Sequence, residues 1–110
     1  MTSCAITLHL RIRVKATSRA ELLTFLREAK PFYEQPGGIR MRLLQERNDC
    51  NLFLEVFEYE SVAAYEADER RVRDDPQMKT YLERWRSFLD GPPIVEIYAE
   101  QPAHYTAGEP

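Results

Sequence analysis

Residues that carry chemistry are scarce in this chain. It holds two histidines, two cysteines and a single tryptophan. No cluster of histidines and carboxylates stands at metal-ligand spacing, so no metal is expected. No glycine-rich loop follows a strand to cradle phosphate, and there is no Gly-x-Ser-x-Gly elbow, so neither a nucleotide cofactor nor serine-hydrolase chemistry is implied. Cations are outnumbered: 15 Lys and Arg stand against 18 Asp and Glu, a formal net charge of −3. That leaves no excess to neutralise phosphates, and nucleic acid is not an expected partner. There is no apolar run of about 18 residues, and the start, MTSCAITLHLRIRV, lacks the basic opening, apolar core and cleavage site of a signal peptide. The expectation is a cytoplasmic protein without a membrane partner. Cys4 and Cys50 show neither metal-pair nor C-x-x-C spacing and fall at opposite ends of one expected strand, about 30 Å apart, too far to pair.

What is present is periodicity. The 110 residues suit one domain, expected over 1–98 with 99–110 as a flexible tail, and small enough to gain from burying a face against another subunit. Ala5 to Lys15 alternates as a strand, with Ile6, Leu8, Leu10, Ile12 and Val14 on one face and Thr7, His9, Arg11, Arg13 and Lys15 on the other. Ser18 and Glu21 read as a capping box opening a helix, which Pro31 should kink or restart and Pro36-Gly37-Gly38 should end. Ile39 to Glu46 and Leu52 to Tyr59 read as a hairpin around Arg47-Asn48-Asp49-Cys50-Asn51. Ser61 can cap a second helix, broken at Asp75-Pro76, where the aspartate caps a segment begun by proline. Met78, Tyr81, Leu82, Trp85, Phe88 and Leu89 then share one helical face. Gly91-Pro92-Pro93 stops it, and Ile94 to Tyr98 is the last strand.

This β-α-β-β-α-β order predicts an α+β, ferredoxin-like fold: a four-stranded antiparallel sheet in the order 4-1-3-2 with both helices on one face. The other face is expected to carry Arg11, Arg13, Arg40, Arg42, Glu55 and Glu96, interleaved with Phe53, Phe57 and Tyr98. Such a face is too apolar to leave wet and too charged to bury alone, which a facing second subunit resolves; a solvated sheet surface is the alternative.

The run Phe57-Glu58-Tyr59-Glu60-Ser61-Val62-Ala63-Ala64-Tyr65-Glu66, followed by Asp75-Pro76, resembles the strand-to-helix corner of the dimeric α/β-barrel superfamily. That superfamily includes antibiotic-biosynthesis monooxygenases, haem-degrading monooxygenases and NIPSNAP-like proteins. The resemblance spans roughly residues 5 to 98 and implies a homodimer with a pocket between sheet and helices. Antibiotic-biosynthesis monooxygenases commonly carry a histidine near the position of Asp68. Haem-degrading relatives use a first-strand asparagine, matched here by Leu10, and a later histidine, whereas none occurs between His9 and His104. Haem degradation is therefore not implied.

Asp68 is a candidate proton acceptor if a pocket wall desolvates it, against the reading that it belongs to an exposed, mixed-charge helix face. His9 is a second candidate base, against a structural role near the subunit interface. Tyr65, Tyr81 and Trp85 are candidate walls for a flat aromatic ligand, against ordinary core packing. The resemblance implies a cofactor-independent, monooxygenase-like protein acting on a small aromatic substrate of quinol or polyketide type. The alternatives are a non-catalytic dimeric binding or accessory protein, or a lyase, isomerase or cyclase of the same superfamily.

Overall fold

The computed structural model describes residues 5–101. In chain order they form β1 (Ile6–Arg13), α1 (Arg19–Glu34), β2 (Ile39–Gln45), β3 (Leu52–Tyr59), α2 (Val62–Asp74), α3 (Pro76–Arg86) and β4 (Ile94–Ala99). All strand pairs are antiparallel, in the order β2-β3-β1-β4. This is the expected ferredoxin-like arrangement. Strand β4 runs one residue past its expected end, with Ala99 paired to Ile6; the chain from residue 102, like Cys4, lies outside the described residues.

Register decides which side chains meet the helices. Leu8 lies opposite Phe57, Leu10 opposite Glu55 and Ile12 opposite Phe53, while Ile39 faces Tyr59 and Met41 faces Phe57. These residues share the helix-covered face, where Ile12, Leu22, Phe25, Phe53, Tyr59 and Phe88 build one core. Arg11, Arg13, Arg40, Arg42, Glu96 and Tyr98 take the open face, as expected. Phe53, Glu55 and Phe57 do not: they point under the helices. Strand β3 is apolar in both phases, so alternation alone does not orient it. The aromatic set turns inward because only the helix layer supplies large partners, such as the Tyr33 ring lying edge-on 5.8 Å from Phe57. On the open face Arg11 pairs with Glu96 at 3.1 Å, Arg42 with Glu58 at 3.7 Å, and the His9 ring lies 5.0 Å from Tyr98.

The helix signals hold unevenly. Asp75 caps α3 through hydrogen bonds from the Gln77 and Met78 amides, with Pro76 in the first turn, and Ser61 accepts from the Ala64 amide at the start of α2. Ser18 makes no such bond. One turn of 3₁₀ helix at Ala16–Ser18 precedes it, which sets Ser18 at φ −109°, ψ 0° rather than in the extended backbone a capping side chain needs. Pro31 neither ends nor restarts α1, which continues to Glu34. It lies on the exposed side, where water can satisfy the carbonyl it leaves unpaired. Helix α3 stops at Arg86, and Phe88 and Leu89 complete the core from the turn beyond it. Gly91, at φ 100°, then turns the chain into β4.

Candidate functional site

Between sheet and helices lies a cavity of about 260 Å³. Leu8, Leu10, Phe57, Met78, Leu82 and Trp85 supply apolar wall, Tyr33, Glu55 and Tyr59 supply buried polar groups, and exposed Val72, Arg86 and Val95 mark the rim.

Glu55 dominates the electrostatics. Its side chain is 2 % exposed and sits between Phe53 and Phe57 along the inward phase of β3. Trp85 Nε1 donates to Glu55 Oε2 at 2.5 Å. Among the described residues no cation pairs with it. Burial in apolar surroundings pushes its pKa up to about 7, only partly opposed by the indole N–H. At neutral pH this carboxyl is therefore divided between acid and carboxylate, the condition that suits proton transfer.

Asp68 is also buried, but differently employed. Tyr59 Oη donates to its Oδ2 at 2.6 Å and Arg71 Nε to its Oδ1 at 3.2 Å. Arg71 further donates to the carbonyls of Phe32 and Tyr33 at 3.0 and 2.8 Å and stacks over the Phe32 ring at 4.9 Å. The group ties α2 to the end of α1 and to β3, with the buried charges compensating each other. Burial, then the Asp68 carboxylate, hold the Tyr59 phenol far above its ordinary range. Burial, then the charge of Glu55, do the same for Tyr33. Both phenols keep their protons, and Tyr59 uses its own to donate to Asp68.

Of the five residues singled out in the sequence, the cavity brings together Asp68 and Trp85. Tyr81 stacks on Phe32 at 4.6 Å, and Tyr65 packs edge-on against Tyr59 at 5.3 Å while donating to Glu69. Neither is among the lining residues. His9 lies on the opposite sheet face, opposite Val56 and Glu96. Glu55, Tyr33, Tyr59 and Arg71 were not foreseen. One signal for Glu55 was legible: it stands in phase with Phe53, Phe57 and Tyr59, the bulkiest set on the strand.

Residues 5–84 match the sequence model of antibiotic biosynthesis monooxygenases. The chain belongs to the antibiotic biosynthesis monooxygenase family. Several solved structures share its fold. A candidate antibiotic biosynthesis monooxygenase of Bordetella bronchiseptica superposes with a TM-score of 0.73 at 16 % identity, over 91 % of this chain and all (100 %) of its own. A variant of SnoaB, a cofactor-independent oxygenase of Streptomyces nogalater, gives 0.72 at 19 % identity, over 97 % and 100 %. A conserved protein of Methanosarcina mazei Go1 gives 0.76 at 16 % identity, over 89 % and 94 %. No curated protein sequence matches significantly. Among the described residues no group of three or more His, Cys, Asp or Glu side chains is placed to hold a metal, and no helix is long and apolar enough to cross a membrane.

Proposed function

We propose that the protein is a cofactor-independent monooxygenase acting on a small aromatic substrate of quinol or polyketide type, with Glu55 as the proton acceptor. The observation that carries this reading is a carboxyl without a cation partner among the described residues, its pKa raised by burial to about 7 on the wall of an apolar cavity in a monooxygenase family. Removal of a proton from an electron-rich ring system leaves an anion able to reduce oxygen directly. At a ring methylene the balance is one CH₂ and one O₂ giving one C=O and one water: the carbon loses two hydrogens and gains one oxygen atom, and the second oxygen leaves as water. Glu55 takes the first proton and returns it to the departing oxygen. Trp85 holds Glu55 in place and forms a flat wall. Asp68, occupied at both oxygens, positions Tyr59 and Arg71 rather than moving protons, and His9 serves the open face. Oxygen uptake with a panel of quinols and anthrones tests the reading. Uptake is expected, falling at least about 100-fold in Glu55→Gln. Uptake undiminished in Glu55→Gln removes Glu55 from the chemistry, and saturable binding of the panel without uptake makes the chain a binding protein instead.

A further inference from the structure

Helix α2 is fastened to the molecule differently from its neighbours. Helix α1 buries Leu22, Phe25, Leu26, Ala29 and Tyr33, and α3 buries Met78 and Trp85. Of the 13 described residues of α2, Asp68 alone is buried, and it is an acid. Val62 and Val72, near the two ends of the helix, are half-exposed, and its apolar contact with the core comes from the part-buried Ala64 and Tyr65. One polar node does most of the holding: Tyr59 donates to Asp68, Asp68 pairs with Arg71, and Arg71 reaches the carbonyls of Phe32 and Tyr33 at the end of α1.

The two kinds of fastening open at different cost. Lifting a helix held by apolar side chains exposes their surface to water, whereas the groups of a polar latch exchange their bonds for bonds to water and regain their hydration. Both ends of α2 carry a break on which it can turn. Ser61 before it and Asp75 after it have extended backbone, at φ −147°, ψ 160° and φ −82°, ψ 119°, and Pro76, without an N–H, interrupts the helical hydrogen bonds between α2 and α3. The same helix is a wall of the cavity, which Asp68, Arg71 and Val72 line.

We infer that α2 is a gate of the cavity, turning on Ser61 and Asp75 and latched shut by the contact of Asp68 with Tyr59 and Arg71. Opening breaks the Tyr59–Asp68 bond and draws Arg71 off the Phe32 and Tyr33 carbonyls, while the sheet, α1 and α3 keep their core. It widens the way into the cavity on the α2 side, and the latch recloses behind a ligand. The inference concerns access, and it holds whether the cavity is catalytic or only binds.

Amide hydrogen exchange tests the gate in the parent, in Tyr59→Phe, which weakens the latch, and in Ile12→Val, which trims a core residue that the open form keeps packed. In the parent, α2 amides are expected to exchange as one unit, at least about tenfold faster than the slowest amides of α1 and α3. Ile12→Val should speed those slowest amides several-fold and leave α2 at its parent rate, because its contacts are lost only in global unfolding. Tyr59→Phe should speed α2 several-fold, because the closed form alone has the bond. The indole N–H of Trp85, on the cavity wall, links the motion to access: followed by NMR, its exchange should speed with α2 in Tyr59→Phe and stay at the parent rate in Ile12→Val. Exchange of α2 as slow as that of α1, or an α2 that Ile12→Val speeds as much as α1, would mean that α2 opens only with the whole fold and overturns the gate. So does an α2 that Tyr59→Phe leaves at its parent rate. An indole N–H indifferent to Tyr59→Phe shows that α2 moves without admitting anything to the cavity, and it too overturns the inference. The comparison of parent with Ile12→Val decides the motion by itself should Tyr59→Phe not fold.

Discussion

A buried acid with a raised pKa makes stability depend on pH in an unusual direction. Glu55 titrates near 4.5 in an unfolded chain and near 7 in the fold. Between those values the native state binds more protons than the unfolded one, so stability is greatest below pH 4.5 as far as this group is concerned, falls as pH rises to about 7, and is level above that. The whole decline is worth roughly 3 kcal/mol. Glu34 and Asp49, whose carboxyls are held low by hydrogen bonds from backbone amides and from Lys30 and Arg13, act in the opposite sense below this window. Glu55→Gln should abolish the decline, so that urea melts at pH 5 and pH 8 differ less in the variant than in the parent; an equal difference in both would place the pH response elsewhere. The sequence reading assigned this residue to the wrong face. It is one carboxylate in a strand whose Leu52, Leu54 and Val56 are as apolar as Phe53, Phe57 and Tyr59, and only pairing with β1 fixes which set turns inward. Asp68 was legible as a position but not as a role, because the Arg71 and Tyr59 partners that occupy it come together only in the fold.

Elements were easier to read than faces wherever one local interaction decides. The break between α2 and α3 is written in two residues, and Asp75→Ala should cost about 0.5–2 kcal/mol by leaving the Gln77 and Met78 amides without their acceptor. Thermal melts of that variant at neutral pH provide the check; parent-like melting would mean that Pro76 alone sets the break. The Ser18-Glu21 box looked equally clear and is not made, because the 3₁₀ turn before it rotates the serine out of capping geometry. A cap motif specifies which side chain can bond, whereas the backbone arriving at it decides whether it does. The same limit applies to the end of α3: Phe88 and Leu89 continue the apolar spacing but are buried from a turn, so periodicity overran the helix while still identifying the core.

For the whole molecule, the deciding feature is the open sheet face, which no described helix covers. It carries half-exposed Ile94 and Tyr98 and part-exposed Leu44 and Leu54 among its ion pairs, a mixture suited to a partner surface rather than to water. We propose that two chains pair through it, giving twice the 12.9 kDa of one chain by light scattering. Leu44→Asp, opposite Leu54 on that face, should shift the population to monomer at micromolar concentration, since an unpaired buried charge costs several kcal/mol; a variant that stays dimeric would place the interface elsewhere. Phe57, under the helices, is the wrong probe for this purpose.

The bond between Trp85 and Glu55 equips the protein with an internal indicator. Trp85 is the sole tryptophan, so fluorescence excited at the red edge of the absorption band comes from one indole whose N–H points at the carboxyl that titrates near 7. Its emission should follow a single sigmoid centred near that pH, absent in Glu55→Gln. The ionisation of one buried carboxyl can then be followed optically in the unlabelled protein, with no substrate present.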